Sequence, residues 1–298
     1  MSLHAHPELP EFDYIRPASL QEASRFLTDH PSEAMLLLGG TDLFVRLRDG
    51  AGHPRYVVDV KNLDGAGELH FDPAAGLTIG AAVNMNRLIA SPAVKEHYPL
   101  LAEACRSVAS YQLRTRATVV GNICNASPAG DTIGACLAYD GELLVYSQEG
   151  FRREPLAGFF RGPGKTSLCP GDIVTALHLP LPPQGAAGRY LKLGRNQLSD
   201  LSIVGVSVLG WPAANAASGY RFRIALASVA PVPLVPSQAE ALLSEEEITP
   251  ALLQRAAKLA QAACSPIDDV RGSARYRSAM VRSLTEKALL SVWEKLSR

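Results

Sequence analysis

The chain has 298 residues, and its 29 basic side chains balance 29 acidic ones, so the formal net charge is zero. Because a nucleic-acid backbone attracts basic surfaces, this balance argues against non-specific nucleic-acid binding. With 47% hydrophobic and 19% charged residues the chain is expected to be globular, and no apolar run reaches the roughly 20 residues of a membrane helix.

The first ten residues are expected to form a loose tail, without the basic and apolar regions of a signal peptide. The five cysteines are odd in number and scattered, which is typical of a reducing compartment, and Cys105, Cys169 and Cys264 are expected to be small buried apolar groups. We therefore expect a cytoplasmic protein.

The next part of the chain alternates helix and strand patterns. Ser19 is a candidate N-cap for a helix at 20–27, whose apolar residues follow the helical period. The following predicted elements, in chain order, are a buried strand at 34–38, a helix capped by Thr41 or Asp42 and ending near Arg48, a strand at 56–60, a hairpin with strands at 69–71 and 77–80, a helix at 99–109, an apolar helix ending near Tyr139, a hairpin at 142–154 and a strand at 173–179.

Residues 182–188 are the best candidate for a linker, since they contain two prolines, two glycines, two alanines and no charge. Beyond them, strands are predicted at 201–211 and 220–229 and helices at 237–243, 250–263 and 273–296. These patterns predict two domains, at 11–184 and 185–298, the second a small sheet backed by helices.

The first candidate site is a strand that ends in two glycines before a helix begins. Paired glycines allow a ligand to approach the backbone closely, and free N–H groups at a helix start attract anions. An ordinary strand–turn–helix connection is the alternative. The candidate residues are Leu36, Leu37, Leu38, Gly39, Gly40, Thr41, Asp42 and Leu43.

The second candidate site, 117–131, crowds small and polar residues between a predicted strand and an apolar helix. Backbone amides, Asn amides and hydroxyls in such a stretch can wrap a polar ligand, and Asp131 could accept hydrogen bonds from it. A loop without function is the alternative. Two separate loops of this kind suggest a ligand with two phosphates, because a lone dinucleotide fold uses one.

Several other motifs for nucleotide, metal or nucleophile sites are incomplete or absent. Residues 162–166 imitate the end of a Walker A loop, but Phe159 stands where its first glycine is required. No G-x-G-x-x-G, C-x-x-C, H-E-x-x-H or G-x-S-x-G occurs. We therefore expect no metal site and no iron–sulfur cluster in this chain.

Taken together, the two candidate segments resemble the FAD pyrophosphate-binding segments of the flavin subunit of molybdenum hydroxylases, the family of xanthine dehydrogenase, carbon monoxide dehydrogenase and aldehyde oxidase. The resemblance runs from about residue 11 to the C-terminus. Weaker matches follow in family order at 159–166, 172–180, 190–192, 200–204 and 267–277.

The resemblance implies an α+β chain: a two-subdomain FAD-binding fold of the vanillyl-alcohol oxidase type, then a small α+β domain. It implies that FAD is the cofactor, that Val108 and Ala109 pack against the flavin, and that Lys192 lies near the ring, where a cation stabilises the reduced form. Besides the first segment, the implied cofactor contacts are Val108, Ala109, Ala117, Thr118, Val120, Gly121, Asn122, Asn125, Ser127, Asp131, Val174 and Lys192.

The resemblance also implies the function of an electron-transfer subunit of an oxidoreductase, with no acid–base catalyst of its own. Electrons would pass from 2Fe–2S clusters of a small partner subunit through FAD to NAD⁺, oxygen or quinone, while a large partner holds molybdopterin. The family assembly is a heterotrimer, doubled to a hexamer. A stand-alone FAD-dependent oxidase or reductase, and a scaffold protein that has lost the cofactor, are the alternatives.

Three positions depart from the family pattern. Some relatives place an aromatic ring over the flavin from the position of Val108 or Leu201, and neither is aromatic here. Val120 replaces a glycine that is common in the second segment. These departures predict a flavin that is more open, or is covered by another side chain or a partner subunit, and a slightly different backbone in the second segment.

Overall fold

The computed structural model describes residues 9–196 and 200–298, so the predicted tail lies outside the described residues except for its last two. The strands are β1 (Asp13–Ile15), β2 (Ala34–Leu37), β3 (Tyr56–Asp59), β4 (Leu69–Asp72), β5 (Gly76–Gly80), β6 (Glu142–Ser147), β7 (Gly150–Pro155), β8 (Phe160–Gly162), β9 (Lys165–Thr166), β10 (Ile173–Leu179), β11 (Ala187–Leu193), β12 (Val204–Pro212) and β13 (Tyr220–Ala227). The helices are α1 (Leu20–Asp29), α2 (Leu43–Arg48), α3 (Met85–Ala90), α4 (Pro92–His97), α5 (Pro99–Ser107), α6 (Tyr111–Arg114), α7 (Val119–Cys124), α8 (Ile133–Ala138), α9 (Ser237–Glu245), α10 (Pro250–Ala263) and α11 (Ala274–Leu296).

The first sheet is parallel, with the strand order β1-β3-β2. Ser19 caps α1 as predicted, since its hydroxyl accepts from the N–H of Glu22 at 3.1 Å. The prediction of a buried strand at 34–38 was wrong, because β2 lies at the sheet edge and Leu36 is 38% exposed.

The predicted side-chain cap of α2 was also wrong. Asp42 stands at the N-cap, but its φ and ψ of −93° and −39° are already helical, and its carboxylate caps no N–H group. The carboxylate therefore does not satisfy the N–H groups that precede this helix.

The second sheet is antiparallel, with the order β4-β5-β10-β6-β7, and its core is continuous with helices α3, α4, α5, α7 and α8. The two predicted hairpins form as β4–β5 and β6–β7. The residues that imitate a Walker A loop form the β8–β9 hairpin instead.

The third sheet, β11-β12-β13, is antiparallel; α11 packs on β11 and β12, α9 packs on β13, and α10 packs on both helices to complete a second core. The predicted linker is shorter than expected, because Ala187 and Gly188 already belong to β11. Tyr190 and Leu209 of this sheet pack in the core of the second sheet, so the two parts of the chain share apolar contacts.

Within the described chain, no helix is both long and apolar enough to cross a bilayer. All five cysteines are free thiols. Cys105 is buried, whereas Cys169 is exposed, which corrects the expectation of a buried apolar group there.

Candidate functional site

A cavity of about 540 Å³ lies among the loops of the first two sheets. Three chain segments form most of its wall, at 34–43, 117–131 and 168–174. Of the twenty predicted site residues, those that line it are Leu36, Leu38, Gly39, Gly40, Thr41, Asp42, Leu43, Val108, Ala109, Ala117, Thr118, Gly121, Asn122, Asn125, Ser127, Asp131 and Val174.

The other three predicted residues lie behind this wall. Leu37 and Val120 are buried in the cores, at 4% and 0% exposure. Lys192 reaches the carboxylate of Asp131 from β11. These three side chains therefore do not line the cavity.

The first wall segment presents a row of backbone donors. Among the described residues, no protein acceptor receives the N–H groups of five consecutive residues, from Gly39 to Leu43. The row follows from the fold, because β2 pairing stops at Leu37 and the first helical hydrogen bonds begin only at Phe44. Such unpaired N–H groups form an anion-binding concavity.

Glycine is required at both positions of the turn. A Cβ on Gly39 would collide with the carbonyl oxygen of Arg116, so the first segment lies directly on the second. Gly40 has a φ of +75°, which L side chains rarely adopt, and a Cβ there would lie 2.9 Å from the Phe44 ring.

The second wall segment contains a short helix, α7, where the sequence predicted an irregular stretch after a strand. Thr118 caps it, since its hydroxyl accepts from the N–H of Gly121 at 2.9 Å. Thr132 donates to the side-chain oxygen of Asn122 at 2.7 Å, which leaves the Asn122 amide nitrogen for a ligand. Asn125 and Ser127 add polar groups to the same wall.

Asp131 is a buried carboxylate at the cavity wall, and two side chains of β11 donate hydrogen bonds to its oxygens. Tyr190 donates its hydroxyl to Oδ1 at 2.6 Å, and the Lys192 ammonium contacts Oδ2 at 2.8 Å. Burial raises the pKa of Asp131, and the Lys192 charge opposes that rise. Burial, reinforced by the Asp131 carboxylate, raises the pKa of Tyr190 as well, so the hydroxyl stays a donor.

In the third wall segment, 168–174, Val174 was predicted to contact the cofactor, but residues 168–172 were not recognised in the sequence as part of the site. The anchor of this segment is Asp172, which accepts two hydrogen bonds from Arg152 at 2.8 and 2.7 Å and one from the N–H of Cys169 at 2.7 Å. Burial raises the pKa of Asp172, but Arg152 and the Cys169 N–H outweigh burial and hold the pKa below its usual range.

Replacing Asp172 with asparagine is expected to lower the free energy of unfolding by about 1–2 kcal/mol at pH 7, because half-exposed Arg152 loses the nearer of its two carboxylate partners and keeps only Glu154. Since the native pKa is lowered, this contribution is complete above the unfolded pKa of about 4 and disappears as the pH falls through the native pKa. Urea denaturation of both proteins between pH 7 and pH 3 measures it. Asp49→Asn, at an exposed position, is the control, and an equal loss at both ends of the pH range would contradict the prediction.

The mouth of the cavity carries aliphatic side chains. Leu201 is 48% exposed there, and Val108 lines the wall. Among the described residues, no Phe, Tyr or Trp lines the cavity. The aromatic cover that some relatives of the resembled family have is therefore absent from the described wall.

Comparisons with known proteins agree with this architecture. The family described as the FAD binding domain in molybdopterin dehydrogenase matches residues 10–182, and the family described as the CO dehydrogenase flavoprotein C-terminal domain matches residues 189–292. The fold class expected from the sequence is confirmed.

Two relatives are similar over nearly their whole length. The carbon monoxide dehydrogenase medium chain of Hydrogenophaga pseudoflava is 32% identical, over 95% of this chain and 98% of the relative. A putative xanthine dehydrogenase FAD-binding subunit of Escherichia coli is 31% identical, over 93% and 94%. The solved structure of the Hydrogenophaga pseudoflava carbon monoxide dehydrogenase that lacks the Mo-pyranopterin moiety superimposes with a TM-score of 0.92, covering 97% of this chain and 99% of the matched chain.

Proposed function

Because the chain belongs to the family of FAD-binding domains of molybdopterin dehydrogenases, as an oxidoreductase subunit with FAD as its cofactor, we propose that it passes electrons from the 2Fe–2S clusters of a partner subunit through FAD to an acceptor. NAD⁺, oxygen and quinone are the candidate acceptors. The proposed division of the chain follows the predicted boundary near residue 185.

The row of unpaired N–H groups from Gly39 to Leu43 is the observation that carries the proposal, and it fits FAD. A pyrophosphate is an anion that accepts several hydrogen bonds, and this segment offers donors without competing side-chain caps. We propose that these groups bind the pyrophosphate.

The remaining wall would orient the rest of the cofactor. The Asn122 and Asn125 amides and the Ser127 hydroxyl would bind its polar groups, while Val108, Ala109 and Val174 would exclude water from the flavin. FAD, when bound, supplies a group that accepts and releases one or two electrons. The residues of this chain would set its orientation and its electrostatic environment.

The proposed partners are a molybdopterin-binding large subunit and a small subunit with 2Fe–2S clusters, in a heterotrimer that doubles. Support comes from the relatives, which are named as a medium chain and as an FAD-binding subunit. A cytoplasmic location is part of the proposal and is supported by the five free thiols.

The visible absorption spectrum of the purified chain tests the proposal. We expect flavin bands without iron–sulfur absorption, and FAD on chromatography after acid release. A folded chain that is colourless and takes up no added FAD would contradict the proposal. A flavin-containing chain that is not reduced by its iron–sulfur partner would contradict the electron path alone.

A further inference from the structure

The turn at residues 106–109, at the C-terminal end of α5, lies at the cavity wall and has an unfavourable backbone. Val108 and Ala109 line the cavity, and Ala109 has a φ of +42°. The left-handed region costs an L-residue roughly 1–2 kcal/mol, so another interaction must hold the turn.

Arg114 supplies that interaction from α6. Its Nη1 group donates to the carbonyl oxygens of Arg106, Val108 and Ala109 at 3.1, 2.7 and 3.2 Å. Its Nε group donates to the side chain of Asn86 at 3.3 Å, which fixes the direction of the guanidinium. Among the described residues no carboxylate forms an ion pair with Arg114, so its charge faces these main-chain oxygens.

Lys192 binds the carbonyl oxygen of Ser107, the one carbonyl of the 106–109 turn to which Arg114 does not donate. Its ammonium donates to Ser107 O at 3.0 Å while it pairs with Asp131 at 2.8 Å. Four successive carbonyls, from 106 to 109, are therefore bound by two cations, one from α6 and one from the third sheet.

We infer that Arg114 and Lys192 are positioning residues that hold the 106–109 turn in one shape, and that Lys192 acts on the flavin through this turn and Asp131 rather than as a free cation beside the ring. The inference rests on the proposed function for the identity of the ligand, FAD. The hydrogen bonds that define the turn belong to the chain itself.

The test measures FAD affinity, the visible circular dichroism of bound flavin and amide hydrogen exchange in the full chain. Arg114→Ala is expected to raise the Kd for FAD about tenfold, since each 1.4 kcal/mol corresponds to a factor of ten. It is also expected to change the circular dichroism and to speed exchange of the Val108 amide, which donates to Cys105 O at 3.2 Å.

Arg106→Ala is the matched control, because it removes an exposed arginine from the same turn and leaves every carbonyl in place. It should leave all three measurements unchanged. An equal effect of both variants would show that charge alone matters and would overturn the inference. Wild-type affinity, dichroism and exchange in Arg114→Ala would overturn it as well.

A second variant keeps the inference testable if Arg114→Ala folds poorly. Adding Ala109→Gly should restore several-fold of the lost affinity, because glycine adopts a positive φ without the steric cost. Failure to rescue would overturn the proposed link between Arg114 and the strained turn. The exchange measurement needs no FAD. A wild-type chain that binds no flavin would therefore contradict the proposed function, while the effect of Arg114 on the 106–109 turn is still measured by exchange.

Discussion

Replacing Gly39 with alanine is expected to weaken FAD binding by ten- to a hundredfold. The added methyl group would collide with the backbone oxygen of Arg116, which no side-chain rotation relieves. Overpacking of this kind costs about 1–3 kcal/mol, and here the strain separates the two segments that form the proposed pyrophosphate site. Titration of the cofactor-free chain with FAD, followed by flavin fluorescence, measures the change.

Gly67→Ala is the matched control for that variant. A Cβ at Gly67 meets nothing within 4 Å, and its backbone is not in the left-handed region. The control should bind FAD as the wild type does. If Gly39→Ala also bound FAD with wild-type affinity, the contact between the two segments would not matter for the cofactor.

Replacing Lys192 with methionine is expected to lower the free energy of unfolding by about 3–5 kcal/mol at neutral pH. Only 7% of the Asp131 side chain is exposed, so the variant leaves a buried carboxylate with a tyrosine hydroxyl but without its cation. Chemical denaturation in urea measures the loss, and FAD release on dilution should accompany it.

The pH dependence of this loss has a definite sign. Burial already raises the pKa of Asp131, and without Lys192 nothing of comparable strength opposes it. A group with a raised native pKa favours folding below its unfolded pKa of about 4 and loses that contribution as the pH rises through the native value. The deficit of Lys192→Met should therefore grow from pH 4 to pH 8.

The double variant Asp131→Leu with Lys192→Met is the control for that prediction. Removing both charges should recover most of the stability, because no unpaired ion remains in the interior. If the double variant were as unstable as Lys192→Met alone, loss of packing rather than the buried charge would explain the defect.

The regular elements could be predicted from the sequence because their signals are local. The strand Ile173–Leu179 and the helix Pro250–Ala263 have the predicted ends, fixed by Pro180 and by the Thr249 cap. The helix Val119–Cys124 was missed because glycine and asparagine in its middle favour a loop. The strand Asp13–Ile15 was missed because three residues carry too little periodicity.

The two glycine- and asparagine-containing walls of the site could likewise be located in the sequence, since close backbone approach requires particular residue types. Residues 168–172 of the third wall could not. Their anchor joins Asp172 to Arg152 of β7, twenty positions earlier, and no local sequence pattern marks either residue. The same holds for Arg114, whose Nη1 group bonds main-chain carbonyls that every residue possesses.

The bonds from Tyr190 and Lys192 to Asp131 also bear on the order in which the protein matures. A ribosome releases the segments 36–43 and 117–131 well before β11, and until then the Asp131 carboxylate lacks both partners. Domains that are made first commonly fold first, but here the wall of the N-terminal part is complete only when a strand of the C-terminal part has docked. Cofactor loading should therefore be a late, post-translational event, and nascent chains truncated before residue 190 should emerge without flavin.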